Sequence, residues 1–175
     1  AENPGRFRTE LEREPGIGIV DYVDARVDTP SAAFMSNYDA VIVASNWAFA
    51  DAAAMGDNLA DFVDAGGKVI HATFTFADDG GSGWQVQGRF ATGGYMAFNG
   101  NAPNEFYAHV LGDYDAGHPI MANITTIEDS YVLGASLTFG SELVAGWDNG
   151  TPMVATKSDS IVGINIFVPG DVAVY

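Results

Sequence analysis

Asp39-Ala-Val-Ile-Val-Ala-Ser45, the helical stretch that opens at Asp51, and Gly66-Gly67 leading into Lys68-Val-Ile-His-Ala-Thr-Phe-Thr-Phe76 together decide the fold. The first run is apolar throughout its middle, as a strand buried on both faces of a parallel sheet must be. The period then changes. Ala52, Met55, Leu59 and Phe62 recur at helical spacing with Asp57, Asp61 and Asp64 between them, and Asp51 is a good N-cap. Gly66-Gly67 supplies a left-handed stop, and a second, longer strand follows over 68–76. The segment from Tyr38 to Ala77 therefore predicts a right-handed βαβ crossover and a parallel sheet.

Upstream, residues 5–14 suit a short helix that Pro15-Gly16 breaks, and Ile17-Gly-Ile-Val-Asp-Tyr-Val23 predicts a strand. Ser31 to Asn37 suits one or two helical turns. In order, these pieces make the first half of a doubly wound α/β sheet whose opening strand is missing, because Ala1-Glu-Asn-Pro-Gly5 cannot supply it. A slot is then expected beside the 17–23 and 39–45 strands, to be filled by a neighbouring segment or another chain, unless the strand order differs.

Downstream, Asp78-Asp-Gly-Gly-Ser-Gly83 opens a Gly-rich stretch, with Trp84, Phe90, Tyr95, Phe98, Phe106 and Tyr107 spaced along the chain beyond it. So long a loop either covers the carboxyl edge of the sheet, where open α/β folds place their sites, or packs against a partner. Residues 104–111 read as a helix with His109 exposed. Residues 130–138 and 142–147 read as strands, and Asn149-Gly150 is a hairpin turn into Pro152-Met-Val-Ala-Thr156. Ile161 to Val168 is the last buried strand expected.

Composition limits the chemistry. The 175 residues carry 23 acidic and 7 basic side chains, a net charge of −16, with 47% hydrophobic and 12% aromatic residues, enough for the core of one domain. With no Cys there is neither a disulfide scaffold, a thiolate zinc site nor a cysteine nucleophile. So acidic a surface, with its few cations scattered, disfavours nucleic acid and anionic lipid as partners, and no apolar run is long enough to insert in a membrane. Few lysines, many aspartates and 21 glycines suit a secreted or salt-adapted exterior. A chain that opens at Ala1 with neither Met nor leader suggests a processed piece of something longer.

Several pieces in this order resemble the class I glutamine amidotransferase-like superfamily, in particular its ThuA-like and non-catalytic branches. They are Tyr38-Asp-Ala-Val-Ile-Val43, Leu59-Ala-Asp-Phe-Val-Asp-Ala-Gly-Gly-Lys-Val-Ile70, Gly117-His-Pro-Ile120, Gly150-Thr-Pro-Met-Val-Ala155 and Ile161-Val-Gly-Ile-Asn165, so the resemblance spans roughly residues 17–168. It implies an α/β, flavodoxin-like three-layer sandwich: a mostly parallel sheet, a C-terminal antiparallel hairpin and a first strand that this chain lacks. It also implies one such domain over residues 1–175, often a module of a larger secreted or surface protein. The family's catalytic members carry a Cys on a sharp strand-to-helix elbow. Here the corresponding stretch is His71-Ala-Thr-Phe-Thr-Phe76, which has no Cys and two bulky Phe, so a glutaminase triad is not expected.

The remaining candidates are weighed against plainer roles. His71, at a strand end, would be a general base meeting Asp78 or Asp79 across a loop, or else a packed histidine bonded to backbone. His118, before Pro119, would join a catalytic set or simply fix the turn. Asp78, Asp79, Asp113 and Asp115 are the oxygens that would suit Ca²⁺, although neighbouring aspartates are common in so acidic a chain. Gly80-Gly-Ser-Gly83 lacks the strand and helix context of a phosphate cradle. Trp47, Trp84 and Trp147, with Tyr95 and Phe98, would line a carbohydrate-stacking surface or a protein interface, or else fill the core.

The functional expectation is a non-catalytic structural or interaction module of a secreted or cell-surface protein, binding other copies or domains of a larger assembly by strand addition and needing no cofactor. Two alternatives stay open. One is a ThuA-like hydrolase or sugar-processing enzyme using His71, Asp78 and His118; the other is a carbohydrate-binding module using the tryptophans.

Overall fold

The computed structural model describes residues 4–78, 80–100, 104–167 and 172–174. Its helices are α1 (Pro4–Leu11), α2 (Ala32–Met35), α3 (Ala52–Asp64) and α4 (Gly88–Thr92), with a 3-10 turn at Pro119–Met121. Its strands are β1 (Val23–Asp24), β2 (Ala40–Ser45), β3 (Lys68–Thr73), β4 (Phe98–Asn99), β5 (His109–Tyr114), β6 (Glu128–Asp129), β7 (Ser136–Leu137), β8 (Glu142–Trp147), β9 (Pro152–Lys157), β10 (Ile161–Phe167) and β11 (Val172–Val174). Nine of them form one mixed sheet in the order β1-β11-β2-β3-β10-β9-β8-β5-β6, and β4 pairs with β7 in a small antiparallel sheet. The class is α/β, and no helix among the described residues is long and apolar enough to cross a membrane.

The βαβ unit forms as its pattern requires. β2 and β3 pair in parallel, Ala40 against Lys68 through Val43 against His71. Between them, the Asp51 carboxylate accepts from the Ala54 N–H at 2.9 Å to cap α3. Gly66 ends the helix at φ +96°, a backbone conformation that residues with a side chain rarely adopt. Met55, Leu59 and Phe62 of α3 bury against Val41, Val43 and Val69, each such side chain contributing about 1.5–3 kcal/mol of transfer free energy. The alternate residues Ala44 and Ala72 turn to the other face, where Phe7 of α1 covers them. Helices thus lie on both faces of the central strands.

Parallel pairing holds the centre, β2-β3 and β3-β10. Antiparallel strands extend it on both sides, so the large sheet is mixed around a parallel centre. The Asn149-Gly150 turn joins β8 to β9 as an antiparallel hairpin. The position expected to stand vacant between β1 and β2 is occupied by β11 of the same chain, which pairs antiparallel with both.

Four local expectations are corrected. The 17–23 strand shrinks to β1, because the three-residue β11 beside it offers partners only to Val23 and Asp24; Ile19 is left 80% exposed. The 68–76 strand stops at Thr73, and Phe74 to Phe76 form a turn. The 104–111 helix is absent: Glu105 bridges to Val132, and β5 begins at His109. The 130–138 strand is divided among that bridge and β7.

Candidate functional site

The carboxyl ends of β2 and β3 define the edge where an open α/β sheet places its chemistry. The β8–β9 turn reaches the same edge, because β9 runs antiparallel to β10 and brings Pro152 to it while Lys157 lies at the other, opposite Ile161. At the centre of the sheet stands His71, fully buried among Phe76, Phe90 and Phe98, whose rings meet it edge-on with centroids 5.7–5.9 Å away. Its Nε2 accepts the Ala97 N–H at 3.0 Å, so the remaining ring proton rests on Nδ1, facing Thr75 Oγ1 at 3.5 Å. Burial, and then the positive charge of Lys157, push the imidazole down to about 3. His71 is a neutral, packed ring.

The hydroxyls beside it are also committed. Thr75 Oγ1 donates to the Ala72 carbonyl at 2.6 Å, and Thr73 Oγ1 to Asn165 Oδ1 at 3.4 Å. Both threonines are buried, as are Phe74 and Phe76. The strand-to-turn segment 71–76 therefore presents no exposed nucleophile, and no base stands beside one.

Aromatic side chains surround this sealed segment. Trp47, two residues beyond β2, is 56% exposed. Trp84 is held against the same edge, its carbonyl accepting the Ser45 hydroxyl at 2.7 Å. From Trp84 an edge-to-face chain runs through Phe74 and Tyr131 to Phe106, with centroid separations of 5.6, 4.9 and 5.0 Å. Phe106 and Tyr107 at its end are exposed. Of the other aromatic candidates, Phe98 is a core residue against His71, and Trp147 is buried with its indole N–H on the Asn165 carbonyl. Tyr95 lies on the outer face of α3, donating to Asp64 at 2.7 Å and accepting from Arg89, which also pairs with Asp61.

At the far end of the aromatic chain is a cluster that sequence reasoning missed. His109 is buried, with Nδ1 2.6 Å from Asp148 Oδ1 and Nε2 2.8 Å from Glu105 Oε2. The Asp148 carboxylate chiefly, with Glu105 adding to it, holds the imidazole above its usual value against the opposing effect of burial. Glu105 also accepts from Asn149 Nδ2 at 3.1 Å. Asp148 in turn is held low by His109. Both imidazole nitrogens are engaged by carboxylates, so this histidine clamps the β8–β9 turn to the Glu105 segment. The signal was present in Glu105-x-Tyr107-x-His109, whose two-residue spacing puts all three on one side of an extended chain.

His118 lies elsewhere. Its Nδ1 accepts the Ile120 N–H at 3.2 Å and caps the 3-10 turn. Its side chain lines a groove of about 410 Å³ with residues from the starts of β8 and β10, which is the amino edge of the sheet. His71 is enclosed in the core, His118 lines this groove, and Asp78 is exposed after the 74–76 turn; the three do not form one cleft. Asp113 and Asp115 are exposed on and after β5, Asp115 accepting from the Gly117 N–H. Asp79 falls outside the described residues. Among the described residues no group of three or more His, Asp or Glu is arranged to hold a metal ion.

No family model matches the chain, and no curated protein matches it in sequence. Two solved structures are similar in fold. A cytoplasmic protein of Salmonella typhimurium LT2 aligns with a TM-score of 0.68 at 14% identity, over 95% of this chain and 77% of the other. A protein from Bacteroides uniformis ATCC 8492, described as ThuA-like, aligns with a TM-score of 0.67 at 11% identity, over 93% of this chain and 73% of that one. At such low identity the likeness concerns the fold, and the fold of this chain is ThuA-like.

Proposed function

We propose that this chain is a non-catalytic interaction module of a secreted or surface protein, with its recognition face at the carboxyl edge of the central strands. The sealed 71–76 segment carries the reading. Where a hydrolase of this architecture needs an exposed nucleophile and a base, this chain has two buried threonines bonded within the fold and a neutral histidine packed among three Phe rings. The exposed Trp47, Phe106 and Tyr107 at the same edge supply apolar area of the kind that anchors protein partners. The acidic exterior suits an extracellular setting. Assembly with other copies by strand addition would proceed by exchanging β11, because this chain's own β11 already pairs with β1 and β2.

The test is a panel of chromogenic esters, amides and glycosides incubated with the folded chain. No turnover above buffer is expected. Turnover that disappears in Thr75→Ala or His71→Gln variants of unchanged circular dichroism would overturn the reading.

The aromatic chain supports a second reading, a carbohydrate-binding module, because aromatic faces at a sheet edge can stack on sugar rings. Saturable quenching of tryptophan fluorescence by an oligosaccharide, lost in Trp47→Ala, would favour it over a protein partner.

A further inference from the structure

The groove at the amino edge lies across the sheet from the recognition face at the carboxyl edge, and its chemistry is different. Glu142, Thr156 and Val162 stand in register across β8, β9 and β10, and the His118–Ile120 segment closes one side. The lining is mostly polar: Glu142 and Asp159 supply two carboxylates, and Ile120 and Val162 add apolar side chains beside them. Among the described residues no salt bridge reaches either of them. The cation carried by the same hairpin, Lys157, is turned away: its Nζ donates to Thr138 Oγ1 at 2.7 Å and to the Phe139 carbonyl at 2.8 Å. That contact holds the turn on which Phe139 stands fully exposed, next in sequence to Gly140 of the groove lining.

From this arrangement we infer that the groove docks a short peptide segment of a partner protein that carries arginine or lysine beside an apolar side chain. Charge complementarity selects the occupant. Two uncompensated carboxylates on a chain of net charge −16 repel anionic ligands and attract cationic ones, and the Ile120 and Val162 side chains beside them suit a cation carried on an aliphatic stem with an apolar neighbour. About 410 Å³ is within the range of sites that enclose a small group, here one or two side chains.

The experiment is fluorescence anisotropy of the full chain with a fluorescein-labelled peptide of sequence Gly-Leu-Arg-Leu-Arg-Gly, run beside the same peptide with Glu in place of Arg. Saturable binding of the Arg peptide at low salt is expected, weakening as salt is raised, with no binding of the Glu peptide. The double variant Glu142→Gln, Asp159→Asn should bind about tenfold more weakly, whereas Asp113→Asn, away from the groove, should bind as the parent does. Both altered residues are exposed, so the fold is expected to survive, and a thermal melt checks it. Equal binding of the Glu peptide, binding unchanged in the double variant, or no binding to the folded parent at millimolar peptide would each overturn the inference. None of these results bears on the sealed 71–76 segment, so the two readings fail separately.

Discussion

His109 and Asp148, 39 residues apart in sequence, meet with Nδ1 2.6 Å from Oδ1, and Glu105 closes on the other imidazole nitrogen at 2.8 Å. The histidine is buried while both carboxylates keep contact with solvent. Its protonated form is the one that satisfies both partners. Because the folded-state value is raised above the unfolded value of about 6.5, this stabilisation is fully present below about pH 6.5 and is lost as pH rises through the folded value. The urea midpoint of the chain is therefore expected to fall as pH is raised above about 6.5. A His109→Gln variant should lose most of that decline, and a midpoint that rises over the same interval would contradict the assignment.

His71 acts in the opposite sense. Its folded value near 3 lies below the unfolded one, so the unfolded chain takes up a proton that the folded chain refuses as pH falls below about 6.5. Stability should drop by up to roughly 1.4 kcal/mol per pH unit on this acid side. With His109 on the alkaline side, the stability maximum is expected close to pH 6.5. Denaturation curves at half-unit steps from pH 4.5 to 8.5 check both limbs, and a flat acid limb would refute the burial argument.

Asn165 holds three parts of the structure together. Its Nδ2 donates to the Leu133 and Pro152 carbonyls at 2.7 and 3.1 Å, and its Oδ1 accepts from the Leu133 N–H and the Thr73 hydroxyl. Asn165→Ala leaves those buried groups without partners, for an expected loss of about 3 kcal/mol. Asn165→Asp should be no better, since it removes both donors. Chemical denaturation measures each, and a loss under 1 kcal/mol in the alanine variant would show that the site rearranges freely.

Gly56, inside α3, is where the 86–87 segment crosses the helix, and a Cβ there would stand 1.7 Å from the Gln87 carbonyl oxygen. Alanine, normally favoured in a helix, is expected to destabilise here by about 1–3 kcal/mol because backbone must move. Ala53→Gly in the same helix gives the ordinary propensity cost for comparison. A Gly56→Ala protein as stable as the parent would mean that the crossing is looser than the contact implies.

Legibility of the fold followed the range of the interactions involved. The unit from Tyr38 to Ala77 could be read because its signals are local: an apolar run, a 3.6-residue stripe, a capping Asp51 and a stop at Gly66. The Asn149-Gly150 hairpin was legible for the same reason. The Ile17 to Val23 alternation has the strand period, yet without a partner along its length the backbone pairs only at Val23 and Asp24. β11 shows the converse: three residues too short to be recognised become a strand because they find two neighbours. The site was less legible. Phe106, Val110 and Leu111 fit a helical face, which hid the two-residue spacing of Glu105, Tyr107 and His109, and nothing local announces that Asp148 will arrive opposite His109. Trp47, grouped from sequence with the other aromatic candidates, follows β2 by two residues and is exposed at the carboxyl edge.

The most direct test of the sealed, non-catalytic centre is a nuclear magnetic resonance titration of the His71 ring. A neutral imidazole carrying its proton on Nδ1 is expected, with shifts constant from pH 8 to pH 5 and an Ala97 amide protected from exchange through its bond to Nε2. A His71 ring that titrates near pH 6.5, with a rapidly exchanging Ala97 amide, would mean that the segment opens to solvent, and the case against catalysis at this edge would fail.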